Sequence, residues 1–547
     1  METETEKFGT VAITVTVVAT LLVTANYFLG PTYDPREPPV IHQKIPYLGH
    51  VIGLLQYGLR YFEVLSTKHP LPVFTLQTLG KRVYVVNSPD LIAAVQKNAK
   101  ALSLDPFVSF MSPKIFDAGD EANAIIDDNI DGEKGQWGLL HDTSRGMHNA
   151  LAPSSSLDWM TKTMLTKLEE HIEPLRAGTD VGMDLYKWVR KAITVASTEA
   201  VYGPKNPFNH DAGLEDAFWD FESDITMILL GIAPSITARK GYNARKRFIA
   251  GLSDYFKENG PETGSELIQA RWEMNKKYGA AQYTASFEIG NLIGVLINAT
   301  PSFFWMLLHI YSRPTLLDEL RAEIANATES TTTGKTTTQS IVVSKLKEQC
   351  PLLLSTYQET LRVQTHNTSS RWVKKDTVIA DQYLLKAGNI IQMPGYPVHL
   401  MPSIWGSDAE AFNPYRFLKI EKKSKEKSQK QHPASFRTFG GGTTLCPGRH
   451  FATAELCAAT AMMVMRFDIE PVDNDGVWVI PHYKYGRVAS AVPPPDRDVK
   501  VKIKTRKGME NVRWRFGFEG SVSKFDVFDL SKFTMRLQAL HGGYRFH

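Results

Sequence analysis

The stretch FGGGTTLCPGRHFA, residues 439–452, decides which fold we expect of this chain. Its successive glycines permit a tight turn ahead of Cys446, and the apolar run from Ala452 to Met465 predicts a helix just behind it. Backbone N–H groups in such a turn can point at the sulfur, and a nearby helix N-terminus favours a thiolate. A lone cysteine in a glycine turn is more often an inert buried residue. The whole loop is instead typical of a thiolate that is held as a metal ligand.

Three charged residues precede this loop along the chain. QETLR, residues 358–362, places Glu359 and Arg362 three residues apart, so that the two side chains share one face of a helix. Arg416 follows in the segment FNPYRF, and Cys446 comes after it. A Glu–Arg pair at this spacing, taken by itself, is usually a surface ion pair that contributes little.

The loop resembles the signature of the cytochrome P450 family, F-G-x-G-x-R-x-C-x-G, which is matched at Phe439, Gly440, Gly442, Cys446 and Gly448. The resemblance covers roughly residues 40–506 and implies an α+β fold, mainly α-helical with small β-sheets. It also implies haem b as the cofactor, with the Cys446 thiolate as the axial ligand of the iron.

The charged residues ahead of the loop are similar to two further motifs of that family, E-x-x-R and P-x-R-F. The resemblance implies that Glu359, Arg362 and Arg416 form one buried network that braces the haem loop. Such a role is structural and not catalytic, because buried charges need partners and the loss of one is costly.

The chain departs from the signature at Thr444, where most family members carry a basic residue that holds a haem propionate. The resemblance makes Arg371, in SSRWVKKD, the main candidate for that contact, and Arg449 a second one. The family's W-x-x-x-R motif is not clear in this chain, and Arg145 is the remaining candidate because it lies four residues after His141. Phe439 completes the set of expected cofactor contacts.

The run LINATPSFFW, residues 296–305, stands where family members place an acidic residue followed by threonine, which relay protons to bound oxygen. Here Ile297 and Asn298 occupy those positions. Asn298 followed by Pro301 resembles the steroid-hydroxylase and prostacyclin-synthase branch and its fungal relatives. Pro301 removes the intrahelical partner of the Ile297 carbonyl, which predicts a kink. We expect that carbonyl and the Asn298 amide to face the iron, although a kink that merely eases packing is the alternative.

Both ends of the chain predict additions to a haem domain at residues 51–506. Residues 1–30 are expected to form a membrane anchor, because Phe8 to Leu29 carries no charge and can span a bilayer as a helix. Basic residues follow that run, which predicts a single-pass protein with its haem domain in the cytosol. We expect the membrane to be that of the endoplasmic reticulum. A proline-rich hinge at 31–50 follows. Residues 507–547 form an atypical extension, and the chain from Thr505 onwards is expected to be dispensable.

Other stretches give simpler expectations. VFTLQTLGKRVYVV, residues 73–86, predicts two strands that are followed by a helix from Pro89. The apolar run 285–311 predicts a helix buried through the centre of the protein, with a second membrane span as the alternative. The threonine-rich segment 331–340 and the lysine-rich segment 419–430 are expected to be polar loops.

Composition excludes several classes of protein. A net charge of +4 and the absence of a basic recognition motif give no sign of nucleic-acid binding. Three cysteines cannot form the disulfide framework of a small secreted protein, and they fit a reducing compartment.

The resemblance implies a monooxygenase that uses O2 to oxidise an apolar substrate, which could be a sterol, terpenoid, polyketide or lipid, with secondary metabolism as one setting. No flavin or nicotinamide motif is present, so electrons are expected from a separate reductase. The resemblance implies that this is NADPH–cytochrome P450 reductase. The lysine-rich segment could contact that reductase or could simply be solvated. Two alternatives stay open, a reductase-independent isomerase or dehydratase that acts on a peroxide and a non-catalytic haem-binding protein.

Overall fold

The computed structural model describes residue 20 and residues 33–522 except 44, 46–47, 79–80, 131, 133, 136, 180–181 and 419–431. Most of these described residues are helical. The predicted anchor at 1–30 (Thr20 apart), the lysine-rich segment and the tail beyond 522 lie outside the described residues. The α-helices are α1 Leu48–Tyr57, α2 Arg60–Lys68, α3 Pro89–Lys97, α4 Asp105–Phe116, α5 Asp120–Asp127, α6 Leu139–Ala150, α7 Ser155–Ile172, α8 Leu185–Tyr202, α9 Pro207–His210, α10 Gly213–Leu230, α11 Pro234–Thr237, α12 Arg239–Lys257, α13 Glu266–Lys277, α14 Thr284–Leu296, α15 Ala299–Tyr311, α16 Pro314–Asn326, α17 Val343–Gln349, α18 Pro351–Gln364, α19 Tyr396–His399, α20 Pro402–Trp405 and α21 Arg449–Arg466.

Short strands form four small sheets. The strands are β1 Val40–Ile41, β2 Val73–Thr78, β3 Lys81–Val86, β4 Leu102–Ser103, β5 Met183–Asp184, β6 Thr328–Thr333, β7 Thr336–Val342, β8 Thr368–Val373, β9 Thr377–Ile379, β10 Tyr383–Leu385, β11 Ile390–Pro394, β12 Phe467–Pro471, β13 Lys500–Thr505 and β14 Val512–Gly517. The largest sheet has the order β1-β2-β3-β11-β8-β4, and β9 pairs with β10. In the described residues, a third sheet has the order β12-β13-β5 and a fourth the order β14-β7-β6. The predicted pair of strands at 73–86 and the helix from Pro89 are confirmed.

The helices α14 and α15 run through the centre of the protein, as the apolar run predicts. Every residue of α15 is buried, and Phe303, Phe304 and Trp305 have no exposed surface. The helical stretch Ala281–Tyr311 is the one in the described chain that is long and apolar enough to cross a membrane, and most of it is inside the protein. Burial against α8, α18 and α21 identifies this stretch as the core of the fold.

The threonine-rich segment forms a β-hairpin, so the expected polar loop at 331–340 is wrong. Strands β6 and β7 pair antiparallel from Thr328 opposite Ile341 to Thr333 opposite Thr336. Gly334 takes a φ of +63° in the two-residue turn, a conformation that glycine adopts without strain. Threonine is β-branched and favours strands, so low complexity misled the sequence interpretation here.

Part of the C-terminal extension belongs to the folded core. Strand β14 pairs in parallel with β7 along its whole length, and Glu169 of α7 accepts a hydrogen bond from the Phe516 N–H. Trp514, Phe516 and Val522 are buried in the main hydrophobic core. The expectation that everything after Thr505 is dispensable is therefore wrong for residues up to 522, because their removal would expose this apolar surface.

Candidate active site

The Cys446 loop is a tight turn that closes on itself before α21. The Cys446 N–H donates to the Phe439 carbonyl at 2.8 Å, while Gly440 and Gly442 take φ values of +76° and +62°. A Cβ on Gly440 would stand 2.9 Å from the Thr444 carbonyl oxygen, and the positive φ there also favours glycine. The turn thus places Cys446 three residues before the N-terminus of α21, as the sequence predicts.

The surroundings of the Cys446 sulfur suit a thiolate that is coordinated to a metal ion. Burial raises the pKa of the Cys446 thiol, whereas hydrogen bonds from the backbone N–H groups of Gly448 and Arg449 lower it. Burial raises the pKa of Cys350 to about 12, and Cys457 has no exposed surface. Among the three cysteines, Cys446 is the one with N–H donors arranged for a thiolate, and a coordinated metal ion would complete its stabilisation.

Glu359, Arg362 and Arg416 meet in one buried cluster, as the family resemblance implies. Arg362 donates from Nε and Nη2 to the two carboxylate oxygens of Glu359, each at 2.7 Å, and neither side chain is exposed. Arg416 Nε lies 3.1 Å from both oxygens of the same carboxylate. Asp408 accepts two further hydrogen bonds from Arg416, and these hold its pKa at about 2.

The cluster is connected to the Cys446 loop through His399. Arg362 Nη1 donates to the His399 carbonyl at 2.6 Å, and the His399 Nε2 accepts the backbone N–H of Arg437 at 2.8 Å. Because Nε2 is the acceptor, the imidazole is neutral, and burial lowers its pKa to about 3. The three charged residues thus hold the segment that leads into the Cys446 loop. None of their described contacts is with Cys446 itself.

Arg371 lies beside the loop, where the resemblance expects a propionate contact. Its side chain is buried on β8, and its Nη2 donates to Oγ1 of Thr444 at 2.6 Å. Burial lowers the pKa of Arg371 to about 10, and Asp105 partly offsets that effect. Arg449 donates from Nη1 to the Cys446 carbonyl at 3.1 Å, so it also lies at the loop.

Arg145 does not reach the loop among the described contacts. Its side chain is 58% exposed and lies 3.3 Å from Asp142 on the surface of α6. One turn later, His148 approaches the Leu445 carbonyl with Nε2 at 3.2 Å, next to Cys446. The sequence analysis missed His148, since only the rotation of α6 about its axis decides which side chain faces the loop.

The central helix breaks at the expected place. Helix α14 ends at Leu296 and α15 begins at Ala299, because Pro301 cannot donate to the Ile297 carbonyl. That carbonyl lies 3.4 Å from the Ser490 hydroxyl, which also bonds to the Val492 carbonyl. The expectation that this carbonyl faces the iron therefore needs correction, since it faces the C-terminal loop.

Asn298 is tied to the same loop by its side chain. Its Oδ1 accepts the Ala491 N–H at 2.7 Å, and the Ala491 carbonyl accepts the N–H of His366. An N–H can only donate, so the atom that faces Ala491 must be the amide oxygen. The Nδ2 group of Asn298 consequently points away from this loop, and no acceptor for it is found in the described chain.

One face of the central helix is open, although the helix crosses the core. Gly294 is exposed, and a Cβ built on it would meet nothing within 4 Å. Gly290, Ile293 and Asn298 are half-buried at positions that share this face with Gly294. Helix α14 therefore borders an open space, next to which Gly294 and Ile293 provide small and apolar helix surface.

These residues fit the haem that the resemblance implies. Cys446 offers a thiolate at the end of a glycine turn, Arg371 offers a buried cation for a carboxylate, and the wall of α14 is small and apolar beside an open space. Asn298 Oδ1 already accepts the Ala491 N–H, so the group of this amide that remains available to a ligand is the Nδ2 donor.

Comparison with known proteins gives a consistent result. The family model described as Cytochrome P450 matches residues 294–501. Cytochrome P450 monooxygenase nodJ of Hypoxylon pulicicidum is 35% identical over 90% of this chain and 95% of its own length. A cytochrome P450 monooxygenase of Gibberella zeae is 29% identical over 94% of this chain and 98% of its own. The 25-hydroxycholesterol 7-alpha-hydroxylase of Rattus norvegicus is 26% identical over 75% of this chain and 98% of its own.

Proposed function

This chain belongs to the cytochrome P450 family, and from that premise we propose that it oxidises a bulky apolar substrate with O2 and electrons from a separate reductase. It is a haem-thiolate oxidoreductase, and haem b held by a cysteine thiolate is its cofactor. The proposal concerns the substrate class, the electron donor and the residues that carry each step.

Cys446 holds the iron in this proposal. The backbone N–H groups of Gly448 and Arg449 take up part of the thiolate charge, and α21 presents its N-terminus behind them. The bound haem activates O2 for transfer of one oxygen atom to a C–H bond. The network of Glu359, Arg362 and Arg416 keeps the loop in place through His399.

Asn298 supports proton delivery without ionising. Its Oδ1 is fixed by the Ala491 N–H, which leaves Nδ2 as a donor that can orient a water molecule or a substrate oxygen. Ile297 cannot carry a proton, so protons must arrive through ordered water. The orientation of the Asn298 amide is the observation that supports the proposed proton delivery.

The open face of the central helix supports a bulky, apolar substrate. Gly294 leaves room that a larger side chain would fill, since a Cβ there would meet nothing within 4 Å, and Ile293 contributes apolar surface beside it. No charged side chain stands on this face, so an uncharged molecule is favoured. One relative is a hydroxylase whose name gives 25-hydroxycholesterol, which supports a sterol as a candidate substrate.

The test is turnover of sterol and terpenoid candidates with and without NADPH–cytochrome P450 reductase. We expect product only when reductase, NADPH and O2 are all present. Conversion of a hydroperoxide or endoperoxide without reductase and without O2 consumption would support the isomerase alternative instead. That alternative is kept because neither Ile297 nor Asn298 can ionise.

We propose that the protein lies on the endoplasmic reticulum with its haem domain in the cytosol. Besides the anchor expected in residues 1–30, an exposed apolar patch follows α10, where Ile232 is 66% and Ile236 78% exposed. Gly486 connects this region to the N-terminal side, since it accepts a hydrogen bond from Thr226 and lies against Gly58.

Deletion of residues 1–30 should move the protein from the integral to the peripheral membrane fraction. Ile232→Asp with Ile236→Asp in the deleted protein should then weaken binding to phospholipid vesicles, because the patch would carry charge into the interface. Sedimentation with vesicles measures both steps, and exposed Val378→Asp on β9 is the matched control. Alkaline-resistant attachment of the deleted protein would contradict the single anchor.

A further inference from the structure

Arg437 is a buried cation that has no charge partner among the described residues. It lies two residues before Phe439, and only 1% of its surface is exposed. Its Nη2 donates to Ser369 Oγ at 3.0 Å, whereas Nε and Nη1 have no hydrogen-bond partner in the part of the chain that the structure describes. A guanidinium that is withdrawn from water without an anion is strongly disfavoured, so the site points to an acidic ligand.

A second buried guanidinium lies close by. Ser369 and Arg371 are two residues apart on β8, so their side chains leave the strand on the same face. Arg371 contacts Thr444 Oγ1 and the Ser370 carbonyl, both of them neutral. Burial and the charge of Arg371 together lower the pKa of Arg437 to about 9, so the two cations repel each other. Asp105 is the one described carboxylate whose charge raises the pKa of Arg371, and it offsets only part of the effect of burial.

The backbone of Arg437 is fixed before any ligand arrives. His399 accepts its N–H, and its carbonyl accepts hydrogen bonds from the Gly440 N–H at 3.0 Å and from Asn367 Nδ2 at 3.1 Å. The residue therefore belongs both to the buried network and to the turn that carries Cys446. A donor held in this way binds an anion with little ordering cost.

We propose that Arg437 binds a haem propionate beside Arg371 and thereby supplies the positive charge that Thr444 cannot supply. The proposal rests on the haem-thiolate function above and assigns a role to a residue outside the family signature. The two Arg437 nitrogens without a partner in the described chain, Nε and Nη1, retain N–H donors, and the charge of the guanidinium strengthens any hydrogen bond that one of them gives to a carboxylate.

Haem retention and the reduction potential of the iron test this role in the purified holoenzyme. The variants are Arg437→Met, which removes the charge at similar length, and Arg437→Lys, which keeps it. Arg466→Met is the matched control, because Arg466 is also buried but is paired with Glu173 away from the loop. Haem release is followed by transfer to excess apomyoglobin, and the CO complex reports whether the thiolate ligand is intact.

Arg437→Met should release haem at least about tenfold faster, as expected for the loss of a charge-assisted contact. Its reduction potential should fall, since a cation near the haem favours the ferrous state. Arg437→Lys should keep a potential near that of the wild type. Arg466→Met should lower the thermal midpoint and leave both haem readouts unchanged.

Esterified haem isolates the propionate contribution. Wild type and Arg437→Met are each produced in a host that cannot make haem and is fed either haem or haem dimethyl ester. The difference in haem release between the two proteins should largely disappear with the ester, because it lacks the carboxylate that Arg437 binds. An undiminished difference would overturn the proposal.

A lower thermal midpoint with unchanged haem release and potential would likewise show that Arg437 serves packing only. If Arg437→Met purifies without haem, retention in Arg437→Lys supports the role of charge, and loss in both variants overturns it. None of these readouts depends on turnover. Failure to find a reductase-dependent product would therefore count against the proposed function and not against the role of Arg437.

Discussion

At the scale of single residues, the hydrogen bond between Asn298 and Ala491 decides what the central helix can offer to a ligand. The sequence shows that an amide replaces the usual threonine, but it does not show which end of the amide is occupied. The Ala491 N–H fixes Oδ1, so the available group is a donor.

Asn298→Ala should lower the amount of product formed per NADPH consumed and increase peroxide release, with haem content unchanged. Asn298→Asp keeps an acceptor for the Ala491 N–H but replaces the donor, so it separates the loop contact from the amide donor. Asn298→Thr should be milder than Asn298→Ala. Product, peroxide and NADPH are measured with reductase present and absent, and wild-type coupling in Asn298→Ala would exclude a role for the amide.

Cys446→His should keep much of the fold and lose the red-shifted absorption band that a thiolate-ligated ferrous iron gives with CO. The physical reason is that imidazole is a neutral ligand and donates less electron density than a thiolate. Cys350→Ala is the matched control, since Cys350 is buried in the main core and should leave the band in place. A Cys446→His protein that retained the band would contradict the ligand assignment.

At the scale of secondary-structure elements, the threonine-rich segment and the C-terminal extension form one sheet. Strands β6 and β7 form a hairpin with mostly polar side chains, and β14 completes that sheet from the other end of the chain. Exposed and buried residues alternate along β14, with Trp514 and Phe516 facing the core between exposed Arg513 and Arg515. Such alternation is typical of a strand with one buried face.

Trp514→Ala should destabilise the protein by about 3–5 kcal/mol, because a large buried side chain leaves a cavity. Arg515→Ala, at the neighbouring exposed position, should change stability by less than about 0.5 kcal/mol. Urea unfolding monitored by circular dichroism measures the difference. If the two variants were equally stable, β14 would not be part of the cooperative fold. The same would follow if a protein truncated after Lys507 were as stable as the wild type.

At the scale of the whole molecule, buried neutral histidines make stability depend on pH. Burial lowers the pKa of His309 to about 3, and its ring stacks on Phe412 with centroids 4.0 Å apart. The unfolded chain binds a proton below pH 6.5 that the folded protein cannot accept. Stability is therefore lost as the pH falls from about 6.5 towards 3.

His309→Gln should remove part of this loss. At pH 5 the wild type should have lost about 2 kcal/mol relative to the variant, since one pKa unit corresponds to about 1.4 kcal/mol. Urea unfolding of both proteins at pH 7 and pH 5 gives the difference, and exposed His210→Gln is the control. A difference between wild type and His309→Gln that is the same at both pH values would contradict this account.

The sequence by itself determined the parts of this protein that depend on local chemistry. The glycine turn with Cys446, the helix behind it, the strands at 73–86 and the break at Pro301 follow from backbone rules that act within a few residues. The membership of Glu359, Arg362 and Arg416 in one cluster came from their resemblance to family motifs, and the fold brings them together.

Only the tertiary structure decided which distant groups meet. His148 reaches the loop because α6 presents that side to it, and Ser490 and Ala491 occupy the kink because the C-terminal loop crosses it. Strand β14 joins a hairpin that lies far from it in sequence. These contacts depend on packing between elements, which local propensity and spacing do not encode. The missing partners of Arg437 likewise became visible only once burial of its guanidinium was known.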